Sequence, residues 1–571
     1  MLSGCPSTFA TWSGDLLILD TRDIMDATVV KSVRTVEELG QKQFQEFCTT
    51  RLHERKISLF DVIKRNKIQL FSSPPAPKET TKDKMKIASL KSNCSLFSRV
   101  YISCQVREGD LDSFFTHENQ SYPPSLSQYG TLRSGNKSDL LFCLERLCPA
   151  KAEKPSVDVL LLDGAAIVNM LKPTGACKTF AEYSQFVFIP YLTRELESVK
   201  RVDVVWDRYL SNSLKDCTRR KRGNGSRRRV QPDTKIPGNW AAFLRVDENK
   251  VELFHFLAEQ LITISNVHGQ VVTTKDESVP FNDERNDITN LAPCGHEEAD
   301  TRLLLHVADA INQGFTKVMV RTVDTDVVVI SVAAFHQIQL SELWVAFGTG
   351  KHFRYLPVHD ICQRIGPIKS QALLAFHAFT GCDQTSFFTH RGKKTAWEAW
   401  DAFSEVTTSF QVLSDAPTLE DVCEQLPTLE RYVIIMYDRS NTCKEVNEAR
   451  RDLFTRKGRD IEGIPPTADA LRLHTKRCAY QAGHCWGKAL VPSHPLPCPS
   501  EWRWVRSASQ VWEPLFMTLP EASQSCQELL KCGCKSDKGC TRRCKCVRAE
   551  LQCTALCNCS GLCERDESTG S

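Results

Sequence analysis

Between Pro155 and Trp400 the chain repeats one pattern, in which short apolar runs alternate with segments of helical periodicity. The runs are VDVLLL before Asp163, VDVVW before Asp207, QVVTT near Val271, KVMVRTV before Asp324, VVVIS after Asp326 and LWVAF near Val345. Strands that are apolar on both faces must be covered on both faces, which is the condition of a buried parallel sheet. The covering helices are supplied by AEYSQFVFIPYLTRELESVK, VELFHFLAEQLI and EEADTRLLLHVADAI, whose apolar positions recur with helical spacing. The expected fold class is therefore α/β, with a parallel-sheet α/β/α core over residues 151–400.

A chain of 571 residues is too long for one ordinary core. The expected organisation is a mixed N-terminal region (1–150), the α/β core (151–400), a mostly helical extension (401–525) and a small cysteine-rich module (526–564). In the first region, SVRTVEELGQKQFQEFCTTRLHERK reads as helical and SSPPAPKETTKDKMK, Ser72 to Lys86, as a polar linker. Neither that region nor the extension carries a chemical signature. Apolar residues make up 41% and charged residues 25%, the balance of a globular protein. No apolar stretch approaches the roughly 20 residues that span a bilayer, so no membrane association is expected. The opening MLSGCPSTFATWSGDLLILD has neither a basic leader nor a sustained apolar segment, so an intracellular location is expected.

Net charge is only +4, and affinity for nucleic acid must then come from local clusters. The run RRKRGNGSRRR, Arg219 to Arg229, is one such cluster. It reads as a nucleic-acid contact, as a nuclear-localisation signal, or as a solvated loop, and the first two are compatible. A nuclear location is the resulting expectation.

Acidic residues stand where such a fold builds sites. In open α/β sheets ligands bind beyond the carboxyl ends of the strands. Asp163 ends VLLLDG, Asp207 ends VVWDRY, and Asp324 and Asp326 follow KVMVR. Glu298 and Asp300 lie in HEEADTRLLLH at a helix start, and Asp383 lies in TGCDQTS. Each alone is as readily a helix cap or turn former. Together they form a set of seven carboxylates that repel unless cations are shared among them. Hard oxygen donors select Mg²⁺ or Mn²⁺, and two such ions about 3.5–4 Å apart support in-line phosphoryl displacement.

The order LLLDG, VVWDRY with a following basic segment, EEAD, VDTDVVV and TGCDQTS resembles the PIN-like nuclease superfamily, especially its flap endonuclease branch. The resemblance covers roughly Val157 to Trp400. It implies a structure-dependent nuclease whose metal ligands and catalytic residues are Asp163, Asp207, Glu298, Asp300, Asp324, Asp326 and Asp383. It further implies that Lys215, Arg219, Arg220, Lys221 and Arg222 belong to an arch gripping the substrate strand. Lys393 and Lys394, beside Gly392 in FFTHRGKKTAWEAW, are implied to rest on a duplex backbone, a contact that positions without reading sequence. The sequence departs from the family in carrying Glu-x-Asp in place of Glu-x-Glu, with Glu297 as an alternative register, and in a polar insert from about Lys275 to Cys294.

Of 26 cysteines, nine fall in CGCKSDKGCTRRCKCVRAELQCTALCNCSGLC: Cys532, Cys534, Cys540, Cys544, Cys546, Cys553, Cys557, Cys559 and Cys563. Without a secretory leader such density favours metal thiolates over disulfides. Nine thiolates satisfy three tetrahedral Zn²⁺ ions if three sulfurs bridge, and a segment this short would fold on its metal. The spacing resembles the tesmin-type CXC domain. That family implies DNA contact through interspersed basic residues, here Lys535, Lys538, Arg542, Arg543, Lys545 and Arg548. The combined expectation is a metal-dependent nuclease acting on DNA, with RNA also open at the core, delivered by the zinc module. Two alternatives stand beside it: a non-catalytic chromatin or transcription factor, and a protein encoded by a mobile element.

Overall fold

The computed structural model describes residues 16, 24–25, 27–63, 111–210, 213–215, 225–264, 269–282, 287–455, 461–508, 510–522, 531–534, 540 and 544–559. The linker at 72–86 and Arg219, Arg220, Lys221, Arg222, Lys535, Lys538, Arg542, Arg543 and Cys563 lie outside them. Five of the six apolar runs form strands: β1 (Val159–Asp163), β2 (Arg201–Val205), β3 (Gln270–Thr273), β4 (Lys317–Thr322) and β5 (Glu342–Phe347). A short sixth strand, β6 (Arg354–Pro357), completes one sheet of order β3-β2-β1-β4-β5-β6. All pairs are parallel except β5 with β6.

The side chains of β1 alternate between two cores, as the two-residue period of a strand requires. Val159 and Leu161 join one cluster and Leu160 and Leu162 the other. Helix α1 (Asp139–Leu147) precedes the sheet, α2 (Gly164–Met170) follows β1, α3 (Ile189–Leu196) leads to β2, and α4 (Asp247–Ile262) leads to β3. Helix α5 (Ala299–Asn312) leads to β4. The two faces are thus covered by α3 and α4 on one side and by α1 and α5 on the other.

The run VVVIS departs from expectation. It lies in helix α6 (Thr325–Ala334), all ten residues of which are buried. A helix enclosed on every side is apolar on every side, so its sequence loses the amphipathic signature and reads like a buried strand. Its start is set by Asp324, whose carboxylate accepts from the Asp326 amide at 2.9 Å. Helix α6 packs against α5 and against α7 (Pro367–Phe379), which is followed by α8 (Lys393–Ala402).

The first of the two cores crosses the expected boundaries at 150/151 and 400/401. Leu140 and Leu144 of α1, Val159 of β1, Trp400 of α8 and Phe410, Tyr432, Trp486 and Trp512 of the extension belong to one buried cluster. Helix α9 (Ala468–Ala479) contributes Leu471 and Cys478 to it. A separate buried network ties β2 to α5. Arg201 pairs with Asp203 at 2.6 Å and with Asp309 at 2.7 Å, and His306 Nδ1 lies 2.7 Å from Asp203. Removing one partner of such a buried set costs about 3–5 kcal/mol, so α5 is held in fixed register on the sheet.

Both outer strands carry short backbone bridges. Lys151 pairs with Tyr355 of β6, its amide donating to the Tyr355 carbonyl at 2.8 Å and its carbonyl accepting at 2.9 Å. At the other edge Phe281 bridges to Val272 of β3. Among the described residues no helix is long and apolar enough to cross a membrane.

Candidate metal centre

Strand β1 has β2 on one side and β4 on the other, so successive connections diverge from it and open a crevice at the carboxyl ends of the strands. Each acidic residue reaches that crevice through a local rule. Asp163 ends β1 and caps α2, accepting from the Ala166 amide at 3.0 Å and from Thr322 Oγ1 at 2.9 Å. Asp207 lies just beyond β2 and accepts from the amide of Ala299 at 2.9 Å, joining β2 to the start of α5. Glu298 is the N-cap residue of α5 and Asp300 lies in its first turn. Asp324 and Asp326 occupy the same two positions on α6. Carboxylates are favoured there by the exposed amides and dipole of a helix start.

Two glycines make the close approaches possible. A Cβ on Gly164 would lie 2.2 Å from the Trp206 ring. Gly381 adopts φ +106°, and a Cβ there would meet the Phe387 ring at 2.3 Å. The turn that carries Asp383 therefore requires glycine.

Oxygens of Asp300, Asp324 and Asp326 all lie within 4.8 Å of one another. Burial, reinforced by the Asp207 charge, pushes the Asp163 carboxyl up to about 7. Burial raises Glu298 to about 7 against the opposing pull of Lys215. Asp300 is driven well above the carboxylate range by burial and then by Asp324, Glu298, Asp326 and Asp163. Asp324 is raised by burial and by Asp326. Those mutual effects place Asp163, Asp207, Glu298, Asp300, Asp324 and Asp326 in one electrostatic neighbourhood. An all-oxygen donor set crowded this closely and ionised only at a cost fits a hard divalent cation such as Mg²⁺ or Mn²⁺.

Two lysines enter the same neighbourhood. Lys137 Nζ lies 3.0 Å from Asp324, 3.2 Å from Asp326 and 3.2 Å from Asp383. Burial alone would lower its pKa, but Asp326, Asp324 and Asp383 outweigh that and raise it. Lys215 pairs with Glu298. The neighbouring Glu297 instead accepts from Ser213 Oγ at 2.7 Å, so Glu298 is the member of the pair that faces the cluster. Asp383 is 39% exposed and joins the group through Lys137, at its rim. Lys137 was invisible in the sequence. It lies just ahead of α1 in RSGNKSDLL, a segment with no pattern that marks it as functional.

Two further residues shape the centre. His377 of α7 is fully buried with Nε2 2.8 Å from Asp326 Oδ1. Lys393, expected on a duplex backbone, is fully buried instead; its ammonium donates to the His377 carbonyl and to Thr380 Oγ1, both at 2.9 Å. Its place at the start of α8 turns the side chain inward to bridge α8 to α7. Lys394 is 49% exposed, over the Phe142 ring.

In the cysteine module three sets of four sulfurs come close enough to share an ion: Cys532, Cys546, Cys553 and Cys557; Cys532, Cys540, Cys553 and Cys559; and Cys532, Cys534, Cys540 and Cys544. Sulfur separations include 3.8 Å for Cys532 and Cys540, 3.7 Å for Cys540 and Cys553, and 3.7 Å for Cys546 and Cys557. A thiolate tetrahedron around zinc has edges of about 3.8 Å. Cys532 belongs to all three sets, and Cys540 and Cys553 to two each. Overlap of this kind suits bridging sulfurs.

No family model and no curated protein matches the chain. Among solved structures it is similar to the catalytic core of Rad2 in complex with DNA substrate, at 11% identity and a TM-score of 0.29, covering 57% of this chain and 78% of that one. It is also similar to the bacteriophage T5 flap endonuclease in a complex with DNA and metal ions, at 14% identity and a TM-score of 0.28, covering 58% of this chain and 97% of that one.

Proposed function

We propose that the chain is a metal-dependent nuclease that hydrolyses phosphodiesters in DNA, held on its substrate by the C-terminal zinc–thiolate module. The observation that carries this reading is the set of Asp300, Asp324 and Asp326, with oxygens within 4.8 Å, at the switch point of the sheet. A divalent cation bound there would acidify its water and offset charge on the phosphate. Asp163, Asp207 and Glu298 surround that set and would orient or share the cation. Lys137 and Lys215 offer ammonium groups to phosphate oxygens, which a substrate would recruit away from their present carboxylate partners. The cysteine sets are assigned to zinc, and the basic residues between them to the DNA backbone.

A second reading has one observation in its favour. Lys137 already supplies a cation to Asp324, Asp326 and Asp383, so the cluster is held together by the protein itself, as in a non-catalytic DNA-binding protein. Purified protein with Mn²⁺ or Mg²⁺, offered branched and 5′-flap DNA, separates the two. The nuclease reading requires cleavage that is absent without added Mg²⁺ or Mn²⁺ and in the Asp324→Asn, Asp326→Asn double variant, with binding retained in both. Binding without cleavage in any metal would leave the second reading.

A further inference from the structure

The ammonium of Lys137 is delivered to the carboxylates by a segment pinned on both sides. Residues 133–137 and the turn that carries Asp383 close on one aromatic ring. The Arg133 carbonyl accepts from the Phe387 amide at 3.0 Å, and a Cβ on Gly135 would lie 2.3 Å from the Phe387 ring. Gly381 approaches the same ring as closely. Beyond Lys137 the chain enters α1, whose Leu140, Leu141 and Leu144 are buried in the core. The lysine is therefore rooted in packed structure, and its side chain is only 19% exposed.

Its contacts divide the oxygens of the centre. A carboxylate oxygen accepts through two lone pairs. Oδ1 of Asp324 accepts from Lys137 at 3.0 Å and from the Asp326 amide at 2.9 Å. Oδ1 of Asp326 lies 3.2 Å from Lys137 Nζ and 2.8 Å from His377 Nε2. With Asp383 Oδ1 at 3.2 Å, the ammonium has a carboxylate for each of its three protons. What Asp324 and Asp326 retain, together with Asp300, is a donor set for a single ion. Asp383 stands outside the set whose oxygens lie within 4.8 Å and meets it through the ammonium.

We infer that Lys137 stands in for the second divalent cation that the resemblance to flap endonucleases implies, so that the centre holds one ion, bounded by Asp300, Asp324 and Asp326. The inference rests on the divalent-metal part of the nuclease reading and departs from the ion count of the family. An ammonium offsets one charge where an ion would offset two, and it donates hydrogen bonds to a phosphate oxygen instead of coordinating it. Arriving phosphate would replace Asp383, the most exposed of the three partners, and leave the ammonium anchored on Asp324 and Asp326.

The test titrates the zinc-loaded full chain with Mn²⁺ in the absence of DNA. Electron paramagnetic resonance counts the bound Mn²⁺ and separates an isolated ion from a coupled pair about 3.5–4 Å apart. Wild type should bind one isolated ion and Lys137→Gln a coupled pair. Lys137→Arg, which keeps the charge, should stay at one. Asp383→Asn should leave the wild-type count at one and return the Lys137→Gln count to one. No ion or a coupled pair in wild type, a pair in Lys137→Arg, a single ion in Lys137→Gln, a pair persisting in the double variant, or loss of the ion in Asp383→Asn alone would overturn the inference. Wild type and Asp383→Asn decide the matter even where Lys137→Gln does not fold. Cleavage is read separately: one isolated ion without cleavage removes the nuclease reading and leaves the resident ammonium, whereas cleavage with a coupled pair in wild type removes the resident ammonium alone.

Discussion

His377 Nε2 lies 2.8 Å from Oδ1 of Asp326, with both side chains buried. Burial holds the imidazole pKa well below its ordinary value, so the ring is neutral. Nδ1 has no hydrogen-bond partner, and the proton therefore sits on Nε2 and is donated to the carboxylate. One oxygen of Asp326 is thereby oriented and the other left for a cation. We expect His377→Gln to lower Mn²⁺ affinity by about 10–100-fold, the usual loss when a ligand's supporting hydrogen bond is removed. Titration calorimetry reads this directly, and unchanged affinity would dismiss the orienting role.

Asp324→Asn and Asp326→Asn should each reduce cleavage by about 10²–10³-fold, the scale of losing one electrostatic stabiliser. Asparagine is the right replacement because Asp324 also caps α6, and asparagine caps as well as aspartate. Unfolding midpoints equal to wild type, together with lost turnover, confirm that chemistry and not folding has been touched.

Lys137→Gln separates the protein's own cation from an added one. In EDTA the variant leaves Asp324, Asp326 and Asp383 without their common partner, and stability should fall by about 1–3 kcal/mol, moderated by the exposure of Asp324 and Asp383. With saturating Mn²⁺ most of that loss should vanish, and Mn²⁺ should bind more tightly than to wild type. Equal destabilisation with and without metal would show that Lys137 and the ion do not share ligands.

Stability should fall in mild acid through His474. Burial pushes this imidazole down to about 3, and its Nε2 lies 2.8 Å from the Phe379 carbonyl. An unfolded histidine titrates near about 6.5. Below that value the unfolded chain takes up a proton that the folded chain refuses. The contribution is therefore complete above about pH 6.5 and drains as pH falls towards about 3, by up to about 1.4 kcal/mol per pH unit. Urea midpoints recorded across this window should slope less steeply in His474→Gln; parallel slopes would contradict the assignment.

Zinc content is expected at three ions per chain by elemental analysis. Cys532→Ser, which removes the sulfur common to all three sets, should lose most of that zinc and with it DNA affinity. Loss of a single ion would mean the sets do not share sulfurs.

The strands and strand-end carboxylates could be read from the chain because both follow from local periodicity: a buried run, then the residue that must turn at its end. VVVIS could not, because complete burial makes a helix and a strand look alike in sequence. Strand β6 is short and contains proline, and its pairing comes from β5. Lys137 and His377 escaped because neither spacing nor composition marks them. They reach Asp326 only through the packing of distant segments. Lys393 was misjudged for a related reason: a basic residue beside a glycine looks exposed until the helix phase is known. Aromatic residues of the extension complete a core begun by β1 and α1, and no local pattern on either side of 400/401 announces that long-range packing.

The bridges at Lys151 and Phe281 have a practical consequence. They occupy the backbone groups of Tyr355 at one border and, beside the Val272 bridge, the Val271 carbonyl and Thr273 amide at the other, positions that would otherwise template the addition of foreign strands. A truncated protein beginning after Lys151, the tempting place to cut for a minimal core, would unmask one of these borders and invite self-association. Expression trials should keep the polypeptide from at least Leu111, where the α-helical turn preceding this bridge begins.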